Sequence, residues 1–202
     1  MGVASTAPGR RIGTTTSKTR SLLVDAAEQL LLDEGYAAVT SRRVGAKAGL
    51  KPQLVHYYFR SMEDLFLEVF RRRADENLAR AEAALATDET LRTLWRINAD
   101  LRGAAFNIEF VALANHHKAI RAEVARYAER FRAIQLEAMA RSLAGHGITA
   151  DRLPPVAALL LMTGLTQVLS LERALGVTAG HDEALAFVTD LIDRLEPPVA
   201  PT

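Results

Sequence analysis

The fold is decided by residues 39–59, VTSRRVGAKAGLKPQLVHYYF. Thr40 can cap a first short helix, and the small residue Gly45 lets a second helix approach it closely. Gly49 suits the tight turn between the two helices, and Pro52 is tolerated in the first turn of the second. The pattern therefore predicts a helix-turn-helix, with its two helices at 41–48 and 52–58.

The second of these helices has one apolar face and one polar, aromatic face. The apolar positions predicted to point into the core are Val44, Leu50, Val55 and Phe59. A helix of this kind places its other face in the major groove, where the amide of Gln53 can pair with adenine and Lys51 can reach guanine or a phosphate. The residues predicted to contact DNA are Thr40, Arg42, Arg43, Lys51, Pro52, Gln53, His56, Tyr57 and Tyr58.

The charge distribution agrees with a polyanionic partner for this region. Residues 1–60 hold nine Lys and Arg against four Asp and Glu, whereas residues 61–202 hold sixteen against twenty. A basic N-terminal part on an acidic body favours contact between the N-terminal part and nucleic acid. Small segments also vary by a few charges, so the charge alone does not decide it.

Composition excludes several classes of protein. The 202 residues include no cysteine, which excludes a disulfide scaffold, cysteine-bound zinc and a cysteine nucleophile. The N-terminus lacks the apolar run of a signal peptide, so a cytoplasmic protein is expected. Residues 153–171 are uncharged, but their prolines and polar side chains predict a helix buried in the protein or in a subunit interface, and no membrane contact is expected.

The rest of the chain follows helical periodicity almost without interruption, and no strand pattern is found. The predicted class is all-α with about nine helices. Residues 1–17 are expected to be a flexible arm, 18–60 a helix-turn-helix domain and 61–202 a helical body. The helices are predicted at 18–34, 41–48, 52–58, 62–86, 90–103, 104–115, 118–143, 155–175 and 182–195.

Over residues 19–70 the chain resembles the TetR family of transcriptional regulators. The resemblance lies in five motifs, Glu34-Gly35-Tyr36, Val39-Thr40, residues 44–50, residues 55–59 and residues 61–65. It implies a three-helix DNA-binding head on a helical body that dimerises and binds a small molecule. It further implies repression from a palindromic double-stranded operator and release by the ligand, which would move the helix at 62–86.

The chain departs from the family pattern at two positions. Gly45 stands where the family usually has alanine, which should weaken that helix by about 1 kcal/mol unless packing requires glycine. Met62 stands where the family commonly has lysine, so the phosphate contact expected there is in doubt, and Arg60 is a possible substitute.

The body supplies aromatic and polar residues that suit an apolar ligand pocket. Asn98 and Arg102 are expected to lie four residues apart on one face of the helix at 90–103. The residues predicted to bind the effector are Trp95, Asn98, Arg102, Phe106, Phe110, His116 and Met162, although each taken singly also suits a core position.

The helices at 155–175 and 182–195 are predicted to form a homodimer interface. Their apolar stripes are Leu160, Gly164, Gln167, Val168 and Leu171 on the first, and Leu185, Val188, Leu191, Ile192 and Leu195 on the second. The competing interpretation is a monomer that covers both stripes with its own body.

Two alternative functions remain open in the sequence. The first is an all-helical enzyme that uses His116 and His117 with Glu109, although no catalytic motif is assembled there. The two histidines point about 100° apart on a helix, which disfavours a shared metal. No metal, cofactor or enzymatic activity is therefore expected, and His146 and His181 are expected to be solvated in turns. The second alternative is a constitutive DNA-binding dimer with a filled core and no ligand.

Overall fold

The computed structural model describes residues 12–86 and 89–197, and within them every regular element is a helix. The predicted all-α class is confirmed. The helices are α1 (Ile12–Glu34), α2 (Ser41–Lys47), α3 (Gln53–Tyr58), α4 (Met62–Ala84), α5 (Thr90–Asn98), α6 (Leu101–Ala114), α7 (Lys118–Gly145), α8 (Pro155–Ala174) and α9 (His181–Leu195), with a single 3-10 turn at Tyr36–Ala38.

The chain divides into two compact units within α4, one ending at Val69 and the other beginning at Phe70. The sequence placed this boundary at residue 60, before α4. The first turns of α4 fall in the N-terminal unit because Leu65 and Val69 are fully buried there. The core of that unit consists of Leu23, Ala27, Leu30, Leu31, Val44, Val55, Phe59, Leu65 and Val69.

Helix α1 begins at Ile12, ahead of the start predicted at residue 18. Residues 12–17 carry no apolar periodicity, which is why the sequence assigned them to the arm. Once a helix is nucleated by the residues that follow, each added residue costs little, and this segment has no proline to stop it. Residues 1–11 of the predicted arm lie outside the described residues.

The second unit has an aliphatic cluster to which α4, α5, α7, α8 and α9 all contribute. Its buried members are Ala81, Leu85, Leu91, Leu94, Ala138, Met139, Leu143, Leu159 and Ile192. Helix α7 packs against α5, α6 and α8, so it forms the centre of the unit.

The break between α5 and α6 lies at Asp100 and not near Gly103 as predicted. The Asp100 carboxylate accepts hydrogen bonds from the backbone N–H of Arg102 at 3.1 Å and of Gly103 at 3.2 Å, and so caps α6. Asn98 therefore ends one helix and Arg102 begins the next. The expectation that these two residues share one helix face is wrong.

A buried carboxylate ties the end of α9 to the start of α5. Glu196 accepts from the backbone N–H of Leu91 at 2.8 Å and of Arg92 at 3.1 Å, and from the Ser142 hydroxyl at 3.3 Å. The Arg92 guanidinium in turn donates to the Glu196 carbonyl at 2.6 Å. An anionic group on the N–H groups at a helix N-terminus is favoured by both hydrogen bonding and the helix dipole.

Gly45 is required by the close approach of the turn that follows α2. A Cβ placed on Gly45 would lie 3.0 Å from the Leu50 carbonyl oxygen and 3.0 Å from both the N and Cα of Pro52. These are backbone atoms, and the Leu50 N–H is held by the Gly45 carbonyl at 2.8 Å. The sequence left open whether close packing requires glycine at position 45, and the structure shows that it does.

We expect Gly45→Ala to destabilise the N-terminal unit by about 1 kcal/mol, because overpacking exceeds the gain in helix propensity. Urea unfolding of the full chain measures the change. Gly145→Ala is the matched control, since its added Cβ meets nothing within 4 Å, and it should be neutral or stabilising. A Gly45→Ala variant as stable as Gly145→Ala would contradict the packing argument.

Candidate functional site

The helix-turn-helix is built as the sequence predicts. The Thr40 hydroxyl accepts from the Arg43 backbone N–H at 3.3 Å and caps α2. Gly49 makes the turn with φ of 68°, a left-handed conformation that favours glycine. Val55 and Phe59 of the α3 segment are buried, which fixes the orientation of α3 about its axis.

The opposite face of α3 is open to solvent. Lys51, Gln53 and His56 are exposed, and Tyr57 is 73% exposed. Tyr58 is half-buried, and its ring meets that of Tyr57 edge to face with centroids 5.0 Å apart. The exposed side chains include an amide, an ammonium, an imidazole and a phenol, which are donors suited to base edges and phosphates.

The two arginines predicted to flank DNA differ in their surroundings. Arg42 is exposed, whereas the Arg43 guanidinium lies 2.6 Å from both carboxylate oxygens of Glu34 at the end of α1. Lys47 is similarly 3.2 Å from Asp33. These pairs join residues 9 and 14 positions apart, so no local sequence pattern signals them. Of the predicted basic residues, Arg42 and Lys51 remain the most accessible to a phosphate.

The end of α3 is held by Arg20 of α1. Its guanidinium lies over the Phe59 ring, 5.1 Å from the centroid, and donates to the Glu68 carboxylate. That hydrogen bond raises the pKa of Arg20 above its ordinary value, so the cation is permanent. Arg20 thereby supports the orientation of α3 from behind the exposed face, a role that the sequence analysis missed.

The residues predicted to bind the effector do not converge on one place. Phe106 and Phe110 are buried against Phe70, with ring centroids between 4.7 and 6.1 Å apart, and Tyr127 closes the group 5.6 Å from Phe70. We call these four rings the aromatic cluster. Burial raises the pKa of the Tyr127 hydroxyl, which is 2.5 Å from the Asn77 amide.

The other predicted effector residues lie elsewhere in the second unit. Trp95 and Met162 are partly buried against the aliphatic cluster. The Asn98 amide donates to the Leu94 carbonyl at 2.8 Å, and Arg102 and His116 are exposed. The predicted effector residues therefore fall into two apolar groups, one in the aromatic cluster and one against the aliphatic cluster. The three polar candidates lie outside both groups.

Histidines outside the N-terminal unit do not form a metal site in the described residues, where no group of three or more His, Asp or Glu could hold an ion. His181 is buried, with its Nε2 2.8 Å from the Glu172 carboxylate, so the expectation of a solvated side chain is wrong. The reason is that the loop before α9 folds back over the end of α8, which the sequence does not signal.

The N-terminal unit matches a known family over residues 23–69, namely the bacterial regulatory proteins of the tetR family. This segment is a TetR-family domain. The match covers α1 from Leu23 through α2, α3 and the start of α4, and ends where the first compact unit ends.

Comparison with named proteins extends the similarity beyond the TetR-family unit. The HTH-type transcriptional regulator BetI of Rhizobium meliloti (strain 1021) is 36% identical over an alignment of 124 residues, which covers 56% of this chain and 60% of BetI. The aligned part thus spans less than two thirds of that relative.

Solved structures share the fold of most of the chain. A transcriptional regulator from Saccharomonospora viridis in complex with choline has a TM-score of 0.69 at 20% identity, covering 79% of this chain and 87% of its own. FadR from Bacillus subtilis in complex with stearoyl-CoA has a TM-score of 0.64 at 14% identity, covering 89% and 99%. Such identities establish the TetR-like fold and nothing further about the ligand.

Helix α8 of the second unit presents an apolar face to solvent. All five residues of the predicted α8 stripe, which run from Leu160 to Leu171, are exposed in the single chain. By length and composition alone helix α8 could cross a membrane, and only 17% of its most apolar stretch is buried. Its opposite side nevertheless packs in the body, where Leu159 joins the aliphatic cluster and Thr166 and Ser170 are buried.

The predicted stripe of α9 faces mostly the other way. Ile192 is buried in the aliphatic cluster, and Val188 and Leu195 pack against it. The exposed large apolar residues of α9 are Leu191 and Phe187, the latter 69% exposed. The sequence assigned these core residues to the interface because the apolar residues of α9 extend around more than one face, and it missed Phe187.

Proposed function

We propose that the protein is a transcriptional repressor that binds a palindromic operator as a homodimer and is released by a small, largely apolar ligand. The observation that carries the proposal is the exposed face of α3, where Gln53, His56 and Tyr57 project from a helix fixed by buried Val55 and Phe59. Exposed Lys51 lies in the turn just before this helix. A rigid helix with exposed donors at its N-terminal end is the arrangement that reads bases in a major groove.

The exposed apolar surface of α8 supports dimerisation. Val168, Leu171 and Leu161 are each half or more exposed in the single chain, and Phe187 of α9 adds an aromatic ring. Pairing α8 and α9 with their copies across a two-fold axis would bury this surface in a four-helix contact. A two-fold dimer also requires half-sites about 34 Å apart, one turn of DNA, and hence a palindrome.

Release by a ligand is supported by the fold shared with proteins solved in complex with choline and with stearoyl-CoA. Helix α4 is the one described helix that runs from the first unit into the second, so a ligand that favours one position of α4 would alter DNA binding. A regulator of this kind acts on DNA in the cytoplasm and carries out no catalysis.

We expect Gln53→Ala to relax preference at one base position of the half-site, costing about 1–3 kcal/mol at that position only. Lys51→Ala should weaken binding more evenly across sequences and reduce the salt slope by about one unit if Lys51 contacts a phosphate. Competitive fluorescence anisotropy on a set of single-base operator variants measures both.

Gln29→Ala is the control, since Gln29 is an exposed amide on α1 outside the helix-turn-helix. It should leave affinity and preference unchanged. An even loss of affinity across all sequences for Gln53→Ala would mean that Gln53 contacts only the DNA backbone. If neither Gln53→Ala nor Lys51→Ala changed DNA binding, the proposal would be overturned.

A further inference from the structure

The second unit contains a buried amide without a hydrogen-bond partner. Three buried side-chain polar atoms lack one among the described residues, namely Gln135 Nε2, His181 Nδ1 and Asp193 Oδ1. The His181 ring is held through its other nitrogen by Glu172 at 2.8 Å, and Asp193 Oδ1 lies 2.8 Å from the Arg92 guanidinium. Gln135 Nε2 is left as the donor that the fold itself does not account for.

Gln135 is 2% exposed and lies on the core face of α7. Helical spacing puts it on the same face as Phe131, Ala138 and Met139. Ala138 and Met139 belong to the aliphatic cluster, and Phe131 both packs against that cluster and stacks on Tyr127 of the aromatic cluster at 5.5 Å. The amide thus lies beside the apolar residues that join the two clusters.

An unmatched buried amide donor is costly, on the order of 1–3 kcal/mol, so such groups are retained where something else accepts the bond. The buried hydroxyls of α7 and α8 are bonded to other groups, and none of them accepts from Gln135 Nε2. Thr166 donates to the Thr163 carbonyl at 2.9 Å, Ser142 donates to Glu196 at 3.3 Å, and Ser170 donates to its own helix. The Gln135 amide therefore still lacks a hydrogen-bond acceptor.

The surroundings also define the charge of that acceptor. In the described residues of the second unit no lysine or arginine is fully buried. Arg73 is partly buried, with its guanidinium over the Phe106 ring of the aromatic cluster, 4.9 Å from the centroid, and the buried carboxylate of Glu196 is already satisfied. A carboxylate or phosphate at Gln135 would be buried without a cation, which is strongly unfavourable. A carbonyl oxygen on an uncharged apolar molecule meets the demand without that penalty.

We infer that Gln135 is the polar anchor of the effector site, and that the effector is an uncharged, largely apolar molecule whose carbonyl oxygen accepts a hydrogen bond from Gln135 Nε2. The inference rests on the proposed ligand-binding role of the body. Trp95 and Met162, which the sequence selected as effector residues, pack against the same aliphatic cluster as Met139.

The test uses Prodan, an uncharged aromatic ketone with environment-sensitive fluorescence, and its analogue with CH₂ in place of the carbonyl. Binding of both to the full chain is measured without DNA. We expect the ketone to bind the wild-type chain about tenfold more tightly than the analogue, the net value of one buried hydrogen bond. Gln135→Met should remove that tenfold difference and leave the analogue unaffected, while Gln29→Met, at an exposed glutamine, should change neither.

Equal affinity of the wild-type chain for ketone and analogue would overturn the inference, because the amide would then be satisfied by water. Absence of binding, or a tenfold preference that survives in Gln135→Met, would overturn it as well. If Gln135→Met does not fold, the infrared stretch of ¹³C=O-labelled Prodan decides on the wild-type chain, since it must fall to the frequency of a hydrogen-bonded ketone.

These readouts are independent of the proposed function. Ketone binding at Gln135 without any effect on operator release would leave the site in place and refute ligand-controlled repression. Operator release by other compounds, with no preference for the ketone over its analogue, would support ligand-controlled repression and refute the assignment of Gln135 as the polar anchor.

Discussion

Val168→Glu is expected to abolish the homodimer that we propose. Val168 is 51% exposed in the single chain, so the substitution leaves the fold of one subunit intact. In a two-fold interface it buries two carboxylates close together with no cation to pair them. We expect the dimer dissociation constant to rise at least about 100-fold, equivalent to about 3 kcal/mol, measured by sedimentation equilibrium.

Val111→Glu is the matched control, because Val111 on α6 is 55% exposed and lies outside α8 and α9. It should leave the dimer constant unchanged. If Val168→Glu dimerises as well as Val111→Glu, the α8 face is not the interface. Operator affinity should fall together with dimerisation, since each half-site alone binds weakly.

Glu196→Ala should produce the largest loss of stability among single polar substitutions in the body. It removes the acceptor of the Leu91 and Arg92 N–H groups and of the Ser142 hydroxyl in a buried location. Leaving such donors unmatched costs about 3 kcal/mol in total, which in a chain of this size lowers the melting temperature by about 6–12 °C. Differential scanning calorimetry measures the change.

Glu137→Ala controls for the loss of a carboxylate, because Glu137 is an exposed residue of α7 that pairs with Arg141 four positions on. Its effect should stay below about 0.5 kcal/mol. Equal melting temperatures for the two variants would mean that Glu196 does not hold α9 to α5, and that the end of α9 is free to move.

Much of the fold follows from local chemistry. The Thr40 cap, the Gly49 turn and the buried pair Val55 and Phe59 are each readable in adjacent residues, so the helix-turn-helix and its exposed face could be predicted. The predicted position of the break between α5 and α6 is wrong, because the prediction relied on Gly103 and overlooked the capping carboxylate of Asp100.

Features that depend on residues far apart in the chain could not be predicted. The pairing of Arg43 with Glu34, the bonds of Glu196 to α5 and the burial of His181 all join separate elements. Gln135 has no short-range signal either, since a lone glutamine on a long helix is ordinarily a surface residue. Helix α9 shows the same limit, because its apolar pattern does not say which side the aliphatic cluster takes.

The central claim is that two copies of this chain read a palindrome through α3. Selection of bound sequences from random double-stranded DNA, at two salt concentrations, tests it most directly. We predict enrichment of a palindrome with half-site centres about one helical turn apart, and binding that weakens steeply with salt. Folded protein that enriches no sequence even at low salt would contradict the claim.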